Sequence, residues 1–402
     1  MTTNSTSSTM SIEMRIQSQR VEEIERTIHH YNDLAVKGLV SMFIPEKRLF
    51  CFKLKQTPAG VVQEGVSPRY TVFTLLGLHR LKECGGTSPV DIKLSFEALL
   101  ADLDWVDNIG DLGLLVWLCA AIAPERLNEI EGRLDVKSAL NRFRDAARGQ
   151  TMELAWFLAG LSHGILARPS EVSHFKDLAV MTYRMLIKNQ GEQGIFGHLA
   201  RHKSVAGMVR GAVGSFADQV YPIYGLTKFA QACNDEHATQ RALDCALAIC
   251  EAQGSLGQWW WHYDSANGRV VDGYPVFSVH QHGMAPMALF ALGEAIQSDF
   301  SPWIYKGLKW IDNNELGFEM KDERASVVWR CISRPISRKY WNFATRLVKP
   351  RKHPKSHDDM KVLFECRPYE LGFLLHAFAD KDTQLTSIQN GKPSSEVGRN
   401  CR

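Results

Sequence analysis

The sequence is short of the features that would place it quickly. It has no CxxC pair and no HExxH, and the spacing of a zinc finger is absent, so no metal site or other cofactor is expected. Its nine cysteines, an odd number, are scattered, and Cys119, Cys245 and Cys250 sit inside apolar segments. This predicts reduced structural thiols and a cytoplasmic protein. The longest apolar run, LGLLVWLCAAIA at 112–123, falls well short of the roughly 20 residues that span a bilayer, and reads as a helix buried on all sides. The opening MTTNSTSSTMSIEMR has no apolar core of the secretory kind, so no signal peptide is expected. Charge is almost balanced, with 47 Lys and Arg against 44 Asp and Glu, which argues against nucleic acid as a partner.

What is present is helical periodicity of two kinds. Amphipathic segments run near 17–42, 92–104, 134–148, 171–189, 237–253 and 301–313, as in DVKSALNRFRDAARG and HATQRALDCALAICEAQ. Segments apolar around most of their circumference run near 70–83, 109–122, 152–165, 216–232, 280–296 and 367–380. The two kinds alternate strictly, which predicts six helical hairpins. Similar turns close several outer helices: NQGEQGIF at 189–196, AQGSLGQW at 252–259 and NNELGF at 313–318. A repeat of roughly 60 residues describes units that bury their apolar faces only against neighbours. Closing them into a ring leaves no exposed end. The expected fold is therefore all-α, a six-hairpin α/α toroid over 17–380 with inner and outer helix rings. Disordered tails are expected at 1–16 and 381–402, with a basic insertion loop at 324–356.

Two of the turns carry a resemblance. Gln190-x-x-x-Gly194-x-Phe196 and Gln253-x-x-x-Gly257-x-Trp259 resemble the QW repeat of squalene and terpenoid cyclases. In such a turn the glutamine amide caps a helix end, glycine permits the reversal, and the ring packs on the next hairpin. The resemblance implies the toroid shared by terpenoid cyclases, protein prenyltransferases and six-hairpin glycosidases. GDLGLLVWLCA, YPVFSVHQHGMAPMALFAL and ECRPYELGFLLHAF also resemble segments of bacterial toroid proteins of unassigned activity, often described beside polysaccharide-biosynthesis genes.

In a closed ring the N-termini of the inner helices converge on one mouth, where free N–H groups and positive dipole ends suit anionic or hydroxyl-rich ligands. The candidates there are Arg69 and Tyr70, Asp111, Asp218 with Gln219 and Tyr221, His280 and His282, and Arg367, Tyr369 and Glu370. Asp107 and Glu153 are expected to be helix caps. Asp111 has no capping role if its helix starts near Asn108, and Glu370 could pair internally with Arg367 at i,i+3. The run Trp259-Trp260-Trp261 cannot face one core with all three rings. Trp259 is expected to be the clamp, with Trp260 and Trp261 available for stacking on a ligand.

Polar rim, aromatic clamp and toroid together resemble six-hairpin glycosidases and related lyases and epimerases. The leading reading is an enzyme acting on a bacterial polysaccharide or its lipid-linked precursor. Asp111 and Asp218 are its expected carboxylates, Glu370 the substitute, and His280 or Tyr70 the base of a lyase or epimerase version. Arg69, Tyr70, Gln219, Tyr221, Trp260, Trp261, His282, Arg367 and Tyr369 would bind the sugar. The stretch 324–355 is basic and free of acids, so it could rest on an anionic membrane surface or close over a phosphate. An isoprenoid cyclase would need a D-x-D-D motif, and the nearest text, Asp102-Leu103-Asp104-Trp105-Val106-Asp107, lacks the adjacent pair. A non-catalytic glycan- or partner-binding toroid would use the same rim without paired acids.

Overall fold

The computed structural model describes residues 5–142, 150–168, 173–199, 211–334 and 360–385, with side chains from residue 22 onward and from residue 174 in the third of these stretches. Its backbone starts with a long helix, α1 (Ser5–Met42). Then follow α2 (Pro68–Glu83), α3 (Ile92–Ala101), α4 (Ile109–Ile122), α5 (Leu127–Leu134), α6 (Ala139–Arg142), α7 (Thr151–Ala167) and α8 (Ser173–Leu186). The second half contributes α9 (Ala217–Cys233), α10 (Glu236–Glu251), α11 (Ala285–Ile296), α12 (Ser301–Trp310) and α13 (Pro368–Phe378).

The apolar helices form the inner ring. In order, α2 packs on α4, α4 on α7, α7 on α9, α9 on α11 and α11 on α13, and α13 closes the circle on α2. Small residues set how closely the rods approach. A Cβ on Gly160 would lie 2.1 Å from the Gly113 carbonyl oxygen, and one on Gly77 would lie 2.1 Å from that of Gly372. The seams α4/α7 and α2/α13 are therefore backbone against backbone. The outer helices lay their apolar faces on this ring, α1 against α13 and α8 against α7. The expected six-hairpin α/α toroid is the fold.

The QW-like turns fasten outer helices to one another as the motif implies. The Gln190 amide donates to the carbonyls of Gly194 and of Arg241 in α10, each at 2.9 Å. The Gln253 amide donates to Gly257 (3.2 Å) and to Trp303 in α12 (2.9 Å). Gly194 and Gly257 have φ of 78° and 101°, and a Cβ on Gly257 would meet the Lys306 carbonyl oxygen at 2.0 Å. Phe196 and Trp259 are both completely buried. In the third turn, Asn314 does the glutamine's work, its amide donating to the Phe318 carbonyl at 2.6 Å.

Three boundaries differ from expectation. The predicted outer helix at 134–148 is interrupted at its start: α5 ends at Leu134, and Asp135 adopts φ 46°, a left-handed conformation that stops a helix, while 143–148 lie outside the described residues. α1 begins at Ser5, inside the expected disordered tail, because a helix nucleated by its packed later turns extends cheaply into residues that need no burial. Before α11, His280–Met284 forms a wide π-turn in which the Ala285 N–H reaches back to the His280 carbonyl. Pro286 has no N–H to donate, which removes an ordinary helical bond at this point and accommodates the extra residue.

The connections are unequal at the two ends of the ring. At the end where inner helices finish, linkers such as Asn234–Asp235 are short. At the end where they begin, the chain makes small antiparallel sheets. Lys53–Thr57 pairs with Gly60–Glu64 and Glu365–Cys366, Val213–Ser215 with His262–Asp264, and Val276–Phe277 with Cys331–Ser333. The mouth formed by inner-helix N-termini is thus walled by elaborate loops, the part of a scaffold that usually carries function. All eight cysteines in the described residues are free thiols, seven of them buried.

Candidate active site

At the start of α4, Asn108 is the cap, its side-chain oxygen accepting from the Asp111 N–H at 2.9 Å. The Asp111 carboxylate is thereby left for other work. It is fully buried and takes a two-pronged bond from Arg69 of α2, through Nε and through Nη2 at 2.7 Å, with the Asn108 amide adding a third donor at 2.9 Å. Asp107, expected as a cap, instead lies at the surface 3.5 Å from Arg69. Burial drives the Asp111 pKa up to about 6, against the pull of Arg69. Asp107 is held below its usual value, chiefly because it hydrogen-bonds the protonated form of Asp111.

The other expected cap is where the sequence reading fell furthest short. Glu153 lies in the first turn of α7, whose cap position is Gln150, and its carboxyl bonds to no side chain or backbone group among the described residues. It is partly buried. A Cβ on Gly110, the residue before Asp111, would sit 3.1 Å from the Glu153 Cα, so the two helix starts touch there. Burial first, and the nearby Asp111 charge second, raise its pKa to about 7. Glu153 and Asp111 thus form an electrostatically coupled pair at the mouth. The only sequence signal for this was its place in the first turn of an inner helix, which capping explained equally well.

Asp218 begins α9 and is 1 % exposed. Its Oδ2 accepts from the Ser215 N–H (2.8 Å) and hydroxyl (2.9 Å) and lies 3.2 Å from His198 Nδ1. Its Oδ1 is buried without a hydrogen bond among the described residues, an acceptor left over. His198, from the loop before α9, is among the charges that act on Glu153. Beneath these groups lies an aromatic floor. Tyr221 meets Trp156 edge-on at 5.1 Å and stacks over Phe73 at 6.4 Å, and Phe73 abuts Tyr369.

Across the ring, Glu370 is fully buried and burial raises its pKa. The expected internal partner, Arg367, hydrogen-bonds it only through its backbone N–H, at 3.3 Å, while its charge acts without a side-chain bond. The ion pair is made by Arg330, which also donates to the Tyr369 hydroxyl at 3.3 Å and lies over the Phe277 ring. Arg330 belongs to the predicted basic insertion, whose first residues enter a strand at Cys331–Ser333 and so bring the arginine inward; residues 335–359 lie outside the described residues. Arg367 instead donates to the Tyr70 hydroxyl at 2.6 Å and stacks on Phe52.

The remaining candidates separate. His280 is packed among Phe216, Phe277 and Trp261, and burial depresses its pKa to about 3, so it is a neutral imidazole at the wall. Trp261 is partly exposed and lies parallel to His280, the one tryptophan of the triplet turned toward the mouth wall. Trp260 is 8 % exposed, and its indole N–H donates to the Ala252 carbonyl at 2.8 Å, which makes it packing under its own loop. The Gln219 amide bonds the Phe196 N–H and carbonyl and the Ser215 carbonyl, leaving nothing for a ligand. His282 is fully buried, and the π-turn separates it from the face of His280. The ring therefore gathers Arg69, Tyr70, Asp111, Glu153, Asp218, Tyr221, Tyr369 and Glu370 at one mouth, while Gln219, Trp260 and His282 serve the fold. Among the described residues no group of three His, Cys, Asp or Glu is arranged to hold a metal, and no helix is long and apolar enough to cross a membrane.

Compared by sequence, the chain matches no protein-family description and no curated protein. Compared by structure, it is similar over most of its length to several solved enzymes. An unsaturated glucuronyl hydrolase from Bacillus sp. GL1, responsible for the degradation of glycosaminoglycan, superposes with a TM-score of 0.57 at 12 % identity, covering 90 % of this chain and 98 % of that one. A cellobiose 2-epimerase from Bacillus thermoamylovorans gives 0.58 at 10 % identity, with 89 % and 99 % covered. An unsaturated glucuronyl hydrolase specific for heparin gives 0.54 at 13 %, with 90 % and 97 % covered. The class defined by fold is thus the α/α toroid of six hairpins that these enzymes share, and at such identities the likeness concerns the fold alone.

Proposed function

We propose that the protein is a carbohydrate-active enzyme in which Glu153 delivers a proton to a bound sugar and Asp111, held by Arg69, supplies negative charge at the same place. The observation that carries this reading is the pair itself: a partner-free Glu153 carboxyl raised to about 7, beside an Asp111 raised to about 6, on a floor of aromatic rings. A general acid works best when its pKa lies near the ambient pH. Glycosidic cleavage needs one carboxyl to protonate the departing oxygen and a second to activate water or face the anomeric carbon. Asp111 or the spare Oδ1 of Asp218 would serve as the second, and the buried rings of Tyr221 and Trp156 form the floor beneath them.

The enzymes that share the toroid supply the substrate classes to try, unsaturated glucuronyl oligosaccharides and cellobiose. Hydrolysis and epimerisation both move protons at a sugar, and the acid pair suits either. The natural substrate we infer is a fragment of a bacterial polysaccharide, or a lipid-linked precursor whose phosphate would meet the basic stretch at 324–355. An isoprenoid chamber fits poorly with a mouth that carries Asp111, Glu153, Asp218 and Glu370. The test incubates the protein with a heparin-derived unsaturated disaccharide and with cellobiose. Loss of the unsaturated-uronate absorbance or a change at the reducing end is followed by NMR and compared with Glu153→Gln. Turnover by the wild type that drops at least a hundredfold in the variant supports the reading. Turnover untouched by the substitution removes Glu153 from the chemistry.

A further inference from the structure

Beside the acid pair lies a cleft of about 170 Å³, lined by Phe52, Val66, Ser67, Pro68, Arg69, Tyr70 and Trp105. Phe52 and Tyr70 form one wall, their rings stacked at 5.3 Å and 20°. That wall is held flat from outside. The Arg367 guanidinium lies 4.7 Å from the Phe52 ring centroid and donates to the Tyr70 hydroxyl. Trp105 forms another wall, fixed by its indole N–H bond to the Leu99 carbonyl at 3.2 Å. It belongs to the 102–107 stretch that failed as an isoprenoid motif, and here that stretch gives its tryptophan to the cleft and its last aspartate to Arg69. Phe52 remains 37 % exposed.

The cleft, open to solvent, has room for a sugar ring. Aromatic faces take up the C–H face of a pyranose, and the guanidinium edge and carboxylate nearby meet its hydroxyls. Arg69 lines the cleft and also holds Asp111, so the cleft opens directly beside the acid pair. We infer that this cleft is a second sugar subsite, binding the pyranosyl ring next along the chain from the one at Glu153, so that the enzyme acts on oligosaccharides in preference to single sugars. The inference rests on the proposed carbohydrate chemistry and adds the place where the rest of the substrate lies.

The experiment uses full-length Glu153→Gln labelled with 5-fluorotryptophan, with the Trp105 and Trp156 signals assigned by Trp105→Phe and Trp156→Phe. Fluorine NMR follows titration with a heparin-derived unsaturated disaccharide and tetrasaccharide, and with glucose, cellobiose and cellotetraose. The expected result is that a tetrasaccharide shifts both Trp105 and Trp156. Phe52→Ala should then weaken that tetrasaccharide and the matching disaccharide, whose second ring also fills the cleft, about tenfold, the loss of one stacking contact, and leave glucose, which has no second ring, unaffected. Phe52 is partly exposed, so this variant should fold, and Trp105→Phe, which keeps a ring, should weaken binding less than Trp105→Ala. A tetrasaccharide that shifts Trp156 and not Trp105 overturns the subsite and leaves the carbohydrate reading standing. No shift at either tryptophan, with no turnover by the wild type, overturns both.

Discussion

Removing the guanidinium from Arg69 is the most searching perturbation of the mouth. In Arg69→Met, Asp111 keeps its burial and its Asn108 donor and loses the bidentate partner. Deleting one member of a fully buried pair costs about 3–5 kcal/mol. The Arg69 side chain is 37 % exposed, so solvent screens part of its contribution, and about 2 kcal/mol is the better expectation at pH 8. The penalty should itself depend on pH. Asp111 titrates near 6 in the folded protein, above the 3.8 of a free aspartate. Below pH 5 it is mostly protonated, so the pair contributes little there, and the cost of losing Arg69 should shrink to well under half. In a chain of this size 2 kcal/mol moves Tm by only a few degrees, so urea unfolding at pH 5 and pH 8 is the assay, with Asp111→Asn and the double variant completing the cycle. An Arg69→Met penalty equal at both pH values, or one that persists undiminished in the Asp111→Asn background, would refute the assignment of this pair.

Further expectations concern the acids and the ring. The activity profile of the wild type should rise through about pH 6 and fall through about pH 7, a narrow bell belonging to the acid pair, with the basic limb lost from the residual activity of Glu153→Gln. Both carboxyls hold protons in the folded state that the unfolded chain has already shed. Stability should therefore decline as pH rises from the unfolded values near 4 to the folded values near 6 and 7, and urea midpoints across pH 4–8 should show a shallower decline in Glu153→Gln. Gln253→Ala strips donors from the Gly257 and Trp303 carbonyls and should cost about 2 kcal/mol by urea unfolding. Gly257→Ala, forced against the Lys306 carbonyl at a positive φ, should cost more and reduce soluble yield.

The ring was legible because its evidence is redundant. An inner helix such as α4 is apolar on every side, an outer one such as α10 on one side only, and this contrast recurs six times. The QW-like turns were legible because glutamine, glycine and aromatic ring each have one job there, and the side chains do those jobs. The mouth was only half legible. Sequence places Asp111, Asp218 and Glu370 at helix starts, and they converge. Which of the neighbouring acids is merely a cap depends on where each helix begins to within one residue, and Asn108 and Gln150 decide this only in three dimensions. Partners that arrive from the loop before a helix, 40 residues away for Arg330 and Glu370 and 20 for His198 and Asp218, leave no trace in local spacing. The role of Gln219 was misread for the same reason, since its amide is consumed by a turn more than twenty positions earlier. His280 and His282 were separated by a π-turn that only Pro286 hinted at.

The most direct measurement of the central claim, that the closed ring sets two interacting carboxyls at one mouth, is the titration of Asp111 and Glu153 by carboxyl ¹³C NMR between pH 4 and 9. The expected midpoints are near 6 and 7, with that of Glu153 falling when Asp111 is replaced by Asn. Two carboxyls that both titrate near 4, each indifferent to replacement of the other, would contradict it.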